Sequence, residues 1–422
     1  MNATWISWIF RLRERLWVQP LVYCAVAIIG VALARLGNAY ERPDWLSLIN
    51  TDMLEMLLQI IATSMLAVAT FAVGSLVSAY ASASSQGTPR SFQILVADDS
   101  SRNALSSYIG AFIFAVVSLV ALRLGLFIEG GLVALFGWTM SIFAWVVLTF
   151  VAWTDNIARL GRVTTLILRA EDATERTLRI SAETPALGGV PAETRPALTG
   201  LEIMTPRIAY VQTINMAALQ GIAEAHDITI AITCPPGGLT RPGRAIARVS
   251  TPTLPSEAVE KIRDAFAIDA QRNVNEDPRC GLIILSEVAV RALSPGVNDP
   301  GTAISVIGRM THLLHLWATT DEMPEPTYDR VIAPRLDPDD LCDDAFRAIA
   351  RDGAGQVEVA LQLVKALESL ASLPNGVLRD PATRLAQQLL RRCELAMTDR
   401  DDLDAVRAAG EAFLGANDGP GA

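Results

Sequence analysis

Four long apolar stretches constrain the first 154 residues of this chain more than any other feature. They run Pro20–Ala39, Met53–Ala81, Ala104–Phe127 and Leu132–Trp153, and crossing a bilayer as a helix takes about 20 residues. In hydrocarbon each backbone N–H and C=O must be satisfied inside its own segment, so such stretches become helices. Met1–Thr154 carries eight arginines balanced by eight acidic residues, and the whole net charge of −10 falls after it. A neutral lipid-embedded module (20–154) is therefore expected to precede an acidic, water-soluble one. Ahead of the first stretch, residues 1–19 read as an interfacial amphipathic helix, with Trp5, Trp8 or Ile9, Leu12 and Leu16 on one face and arginines elsewhere. The order of a charged "RLRER", an apolar core and "ALA" at 32–34 also has the layout of a secretory leader; the expectation is a retained span.

Arginines assign the orientation. Arg11, Arg13 and Arg15 precede the first span, Arg90 and Arg102 lie between the second and third, and Arg159, Arg162 and Arg169 follow the fourth. The excess of positive charge on these segments places the amino terminus, the middle loop and the soluble domain in the cytoplasm. Arg162, Arg169 and Arg176 recur every seven residues, so residues 155–184 read as an unbroken helical extension of the fourth span carrying a basic stripe. Asp172–Arg176 and Glu175–Arg179 have the spacing of surface ion pairs along it.

The second span is crowded with Ala, Ser, Thr and Gly. Ser64, Phe71, Ser75, Ser78 and Ser82 recur on one side of the helix. Small residues at that spacing pack helices closely. The alternative is a pore lining, with hydroxyls solvating a passing solute and Phe71 as an apolar constriction. No charge lies deep in any span, which argues against a proton relay or ion-coupled pump.

After the membrane module, residues 185–255 read as a Pro/Gly-rich linker and a small α+β unit. "IAYVQTI" alternates like a strand, "NMAALQGIAEAHD" has helical periodicity, and "ITIAITC" and "RAIARVS" flank "PPGG" as a hairpin, whose second arm is basic through Arg241, Arg244 and Arg248. Residues 256–320 read as helical, with a first helix over 256–268 and a break at "RALSPGVNDPGTA" (291–303). Residues 321–340 read as an acidic, proline-rich loop, 341–415 as amphipathic helices and 416–422 as a tail. At the break, Ser294 precedes Pro295 and leaves the α region, ending one helix. Gly296 offers a permissive backbone position, and Asp299–Pro300 starts the next helix as N-cap and first residue. Glu287, Arg291, Asn298 and Asp299 are the clustered polar set in this apolar setting. They form either a capped corner or a pocket for a small ion or small-molecule ligand.

Several segments resemble a family of bacterial integral membrane proteins known as domain of unknown function 2254. The resemblance rests on "RNVNEDPRCGLIILSEVAVRALSPGVNDPGTA", on "SQGTPR" after the second span, and on "AYVQTI", "PPGGLTRPGRAIARV" and "AFRAIARDG". It implies a multi-pass protein of the bacterial inner membrane with a cytoplasmic domain, and it implies no activity.

Other chemistry finds little footing. His312 and His315 lie three apart on a helix and could meet a metal with Asp277 or Glu287, but there is no HExxH and no third ligand nearby in sequence. GxSxG, P-loop and strand-borne GxGxxG signatures are absent, and the five cysteines form no CxxC. The acidic balance, with no basic aromatic-rich patch, argues against nucleic acid. The expectation is a mainly α membrane protein: four transmembrane helices, a cytoplasmic α+β domain and a C-terminal helical region. Its partners would be the lipid bilayer and further copies of itself. No cofactor, metal or catalytic residue is expected. A homo-oligomeric channel or passive transporter leads the functional readings, followed by a membrane-anchored scaffold or ligand sensor, and last by a membrane-bound enzyme.

Overall fold

The computed structural model of the chain describes residues 18–36, 50–86, 88, 90, 99–160, 162–320 and 325–417. They divide into two compact units: Met1–Gln86 with Phe92–Thr165, and Gly87–Ser91 with Leu166–Ala422.

The first unit is a helical bundle of α1 (Val18–Ala34), α2 (Thr51–Gln86), α3 (Asp99–Arg123) and α4 (Glu129–Leu160). Within α2, α3 and α4, three segments are long and apolar enough to cross a membrane: Thr51–Ser82, Ser101–Arg123 and Gly130–Ile157. The first expected span is a shorter helix: at 1.5 Å per residue, the 17 residues of α1 reach about 25 Å. The expected interfacial helix falls on residues that lie almost wholly outside the described ones. At the centre is α3, packed by α1, α2 and α4. Its Ala104, Tyr108, Ala111, Phe114 and Ala115 are buried against Leu54, Leu58, Ile61, Met65, Ala69 and Ala72 of α2. Glycines set the spacing: Tyr23 of α1 lies directly over Gly110, and Trp138 of α4 over Gly30, the close approach that small residues permit between helices in lipid. At one end Arg123 Nε donates to Glu55 at 3.0 Å, tying α3 to α2.

The expected unbroken extension of α4 is two helices. α4 stops at Leu160, and α5 (Val163–Glu183) begins a new hydrogen-bonded run. The Arg162 amide bonds the Arg159 carbonyl, and the Thr165 hydroxyl bonds that same carbonyl at 2.8 Å. The local bond pattern thus closes α4 before α5 starts. Of the surface pairs expected on α5, Glu175–Arg179 forms at 2.8 Å.

The second unit mixes two sheets with helices. Its strands are β1 (Gly189–Pro191), β2 (Glu202–Met204), β3 (Ala209–Ile214), β4 (Ile230–Ile232), β5 (Leu239–Thr240), β6 (Ala245–Val249), β7 (Phe266–Asp269) and β8 (Tyr328–Ala333). One sheet has the order β1-β8-β4-β6-β2 and the other β5-β3-β7. The hairpin arms β4 and β6 pair antiparallel as expected, Ile230 opposite Val249, but the connection between them supplies β5 to the second sheet. Two further expectations change. The 185–200 linker contributes β1, and the 321–340 loop contributes β8, which pairs parallel with both β1 and β4; residues 321–324 lie outside the described ones. Val331, Ile332 and Ala333 are buried in succession, as in parallel strands covered on both faces. Gly189 is required where β1 meets β8, because a Cβ there would collide with the Val331 carbonyl. Pro191 sits on the edge strand, where its missing N–H removes no interior ladder bond. The helix expected over 256–268 ends sooner, as α7 (Ser256–Asp264), and β7 follows it. The core of this region joins Ile230, Ile232, Ile246, Val249 and Val331 to Leu219 and Ala223 of α6 (Met216–Ala225) and to Ile262 of α7.

Helices α8 (Pro278–Ala292) and α9 (Pro300–Ala318) flank the corner. Beyond β8 come α10 (Pro338–Cys342), a π turn (Asp343–Arg347), α11 (Ala348–Asp352), α12 (Val357–Ala371), α13 (Arg379–Ala396) and α14 (Arg400–Asn417). The last helix runs into the expected tail, to Asn417.

Candidate functional site

A polar network runs along α8, upstream of the corner that the sequence singles out. Asp277 is the N-cap, its Oδ1 accepting the Cys280 amide at 3.3 Å, and Pro278 takes the first helical position, where its lacking N–H costs nothing. The other oxygen of Asp277 pairs with Arg272 Nε at 2.6 Å, and the carboxylate side chain is only 2% exposed. The turn Pro235–Gly238 presses on this pair. Gly237 has φ +79° and the Gly238 amide bonds the Pro235 carbonyl at 2.9 Å, the pattern of a type II turn with glycine third. A side chain on Gly237 would overlap Asp277 and Arg272. The turn is itself held to β3, since Val211 N donates to Gly238 O (3.0 Å) and Gly237 N to Val211 O (2.9 Å).

One residue into α8, Arg279 donates through Nε to Asp344 at 2.6 Å and pairs with Asp340. This joins α8 to α10 and the π turn. Burial pushes the Asp344 carboxyl up from its ordinary range, partly offset by Arg279. Burial, and then Asp277, push the Cys280 thiol up to about 11, so it is a thiol and a weak nucleophile at neutral pH. Two turns further on, Glu287 accepts the Thr88 hydroxyl at 2.9 Å and pairs with Arg90. Thr88 and Arg90 follow α2 in the chain, yet they belong to the same compact unit as α8.

The sequence-derived candidates separate here. Glu287 is engaged by Thr88 and Arg90. Asp299 caps α9, taking the Thr302 amide at 3.0 Å and the Thr302 hydroxyl at 2.6 Å, and these bonds hold its carboxyl below the usual range. Arg291 lends its carbonyl to the amide (3.1 Å) and hydroxyl (2.7 Å) of Ser294. The left-handed residue of the corner is Asn298 (φ +50°), not Gly296; asparagine tolerates this conformation better than other non-glycine residues. The corner closes through the Asp299 amide on the Ala292 carbonyl at 2.8 Å. Residues 295–299 are exposed, so this segment joins two helices on the surface.

His312 and His315 are both exposed on α9, and Asp277 is committed to Arg272 rather than to them. Among the described residues no three His, Cys, Asp or Glu side chains gather as a metal site. All five cysteines are free. On α2, Ser64, Phe71, Ser78 and Ser82 are exposed and Ser75 is half-buried, on the side away from the bundle's own core; Phe71 meets the Trp153 ring edge-on at 6.4 Å between centroids.

Sequence reasoning missed Thr88, Arg90, Arg272, Arg279, Asp340 and Asp344 as members of the network. The available signal lay in the motifs: "SQGTPR", "PPGG" and "RNVNEDPRCG" supply residues that meet those of α8, and "AYVQTI" holds the "PPGG" turn in place. With each of these carboxylates held by an arginine and the thiol protonated, the network's chemistry is to fasten distant segments together.

A family profile described as "Predicted membrane protein (DUF2254)" matches residues 13–369. The chain belongs to this family. It is also similar to uncharacterized proteins of Mycobacterium tuberculosis (strain H37Rv) and Mycobacterium bovis, each 28% identical over 167 residues, or 38% of this chain. The match spans only 28% of the length of those relatives. No solved structure matches the chain.

Proposed function

We propose that this member of the DUF2254 family is a homo-oligomeric channel or passive transporter of the inner membrane, with α2 facing the conducting path and the second unit regulating it from the cytoplasm. The observation that carries this reading is the two-sidedness of α2. Leu54, Leu58, Ile61, Met65, Ala69 and Ala72 face the bundle core, while Ser64, Phe71, Ser78 and Ser82 face outward from the single chain. Copies arranged around an axis would turn those hydroxyls toward water instead of lipid, with Phe71 as the constriction. In this reading α1 makes a fourth crossing, which returns the amino terminus to the cytoplasmic side. The arginines at 90, 102, 159 and 162 support that orientation. The test is flux of small ions and neutral solutes into liposomes holding the purified chain. Phe71→Ala should raise the rate and Ser78→Leu should lower it. A strictly monomeric protein in a membrane mimetic, or flux indifferent to both changes, would sink the reading.

A second reading, a membrane-anchored scaffold or ligand sensor, draws on the grip of Thr88 and Arg90 on Glu287. That contact ties the segment directly after α2 to the soluble unit, so a ligand or partner that moves α8 would act on a membrane helix. In that case liposomes would show no flux.

A further inference from the structure

One corner of the second unit concentrates unpaired positive charge around exposed aliphatic side chains. Arg241-Pro242-Gly243-Arg244 is a tight turn, with the Arg244 amide on the Arg241 carbonyl at 3.1 Å and Gly243 at φ +81°. Arg241 and Arg244 therefore occupy its first and fourth positions, which a turn of this kind brings within about 7 Å at Cα. The neighbouring segment is tied alongside: the Thr240 hydroxyl donates to the carbonyls of Arg207 (2.8 Å) and Ala209 (2.9 Å). That brings a third exposed arginine, Arg207, to the same corner. Ile208 is 73% exposed and Leu239 39% exposed between these arginines. Among the described residues none of the three guanidiniums takes part in an ion pair, whereas Arg248, the other arginine of this arm, is paired with Glu202. Asp269 of β7, in register with Tyr210 of β3, accepts its own following amide at 2.5 Å.

In a chain of net charge −10 that carries membrane-spanning helices, we propose that this corner docks on an anionic lipid surface, Ile208 and Leu239 entering the headgroup boundary and Arg207, Arg241 and Arg244 pairing with lipid phosphates. Aliphatic side chains ringed by arginine suit that boundary, because the apolar tips gain by leaving water while the charges stay at headgroup level. An acidic protein surface would reward the arginines but leave Ile208 without a match.

The test uses the full chain in nanodiscs. Cys24→Ser leaves four buried cysteines, and Ile208→Cys then carries an environment-sensitive fluorophore, with Val297→Cys on the exposed corner as the control. In discs of phosphatidylcholine mixed with phosphatidylglycerol, the label at 208 should shift to the blue and be quenched by doxyl lipids; the label at 297 should do neither. Each arginine replaced by glutamine should lower the docking equilibrium constant about fivefold. Molar salt, with a Debye length of about 3 Å, should abolish the signal. Equal quenching in pure phosphatidylcholine would overturn the proposal, as would a shift that survives Arg207→Gln/Arg241→Gln/Arg244→Gln. A blue shift that appears only with two copies per disc, or only on adding polyglutamate, would overturn it too by assigning the corner to a protein partner.

Discussion

Asp277 shows how much one side chain can hold when it has two oxygens and two tasks. One oxygen caps α8 and the other neutralises a largely buried Arg272, and the two contributions can be separated by substitution. Asparagine is as good an N-cap as aspartate, so Asp277→Asn keeps the cap while leaving the guanidinium without its counter-charge. Removing one partner of a buried pair costs roughly 3–5 kcal/mol; Asp277→Ala should add about 1 kcal/mol for the lost cap. Thermal unfolding of the purified full chain should fall in the order wild type, Asn, Ala. Arg272→Met added to Asp277→Asn should restore much of the loss, because the uncompensated charge is then gone. If Asn matches wild type, the pair contributes nothing and the cap alone matters.

At the scale of elements, α5 and α8 are held close by a glycine. A Cβ on Gly281 would fall on the Thr174 hydroxyl, itself fully buried and bonded to the Ala170 carbonyl at 2.6 Å. Ion pairing of Glu171 on α5 with Arg309 fixes the same helix to α9. Gly281→Ala should therefore force the helices apart and cost about 1–3 kcal/mol. Gly308→Ala, on α9 with open space around it, should be neutral or slightly stabilising by helix propensity. A comparison of unfolding midpoints for the two alanine variants checks this, and equal midpoints would contradict the close packing. The contrast also marks what sequence can and cannot reveal. The apolar runs, the α9 cap at Asp299 and the β4–β6 pairing are legible because their causes lie within a few residues. Strand β8 is not: "YDRVIA" sits among prolines and acids, lacks alternation because Val331, Ile332 and Ala333 are buried in succession, and exists through parallel pairing with β1 and β4. The break between α4 and α5 is equally hard to see, because the residues on either side share one helical periodicity. The candidate site was half legible. Glu287 stood out as a charge in an apolar helix, but its partners Thr88 and Arg90 lie nearly 200 residues earlier, and nothing local points to them.

For the whole molecule, the chain's path between units carries the topological argument. Segment Gly87–Ser91 belongs to the unit that also holds Leu166–Ala422, although α2 before it and α3 and α4 after it belong to the other. If α3 and α4 each cross the bilayer, the chain leaves one side after Arg90 and returns to it at Arg162; membership in one unit requires the same parity. Within that unit the segment meets α8 through Glu287 with Thr88 and Arg90, and the charged side chains remain 30% (Glu287) and 50% (Arg90) exposed. A pair this exposed contributes about 0.2–1 kcal/mol, too little to matter for global stability but enough to shift a local opening equilibrium by up to about fivefold. Trypsin cleavage after Arg90 reads that equilibrium directly. Glu287→Gln should speed cleavage there severalfold with little change in the unfolding midpoint, while cleavage after exposed Arg400 stays as it was. In sealed vesicles the Arg90 site and the Arg400 site should be cut from the same side. Cutting from opposite sides would break the parity, and an unchanged rate in Glu287→Gln would mean that Glu287 does not hold the segment in place.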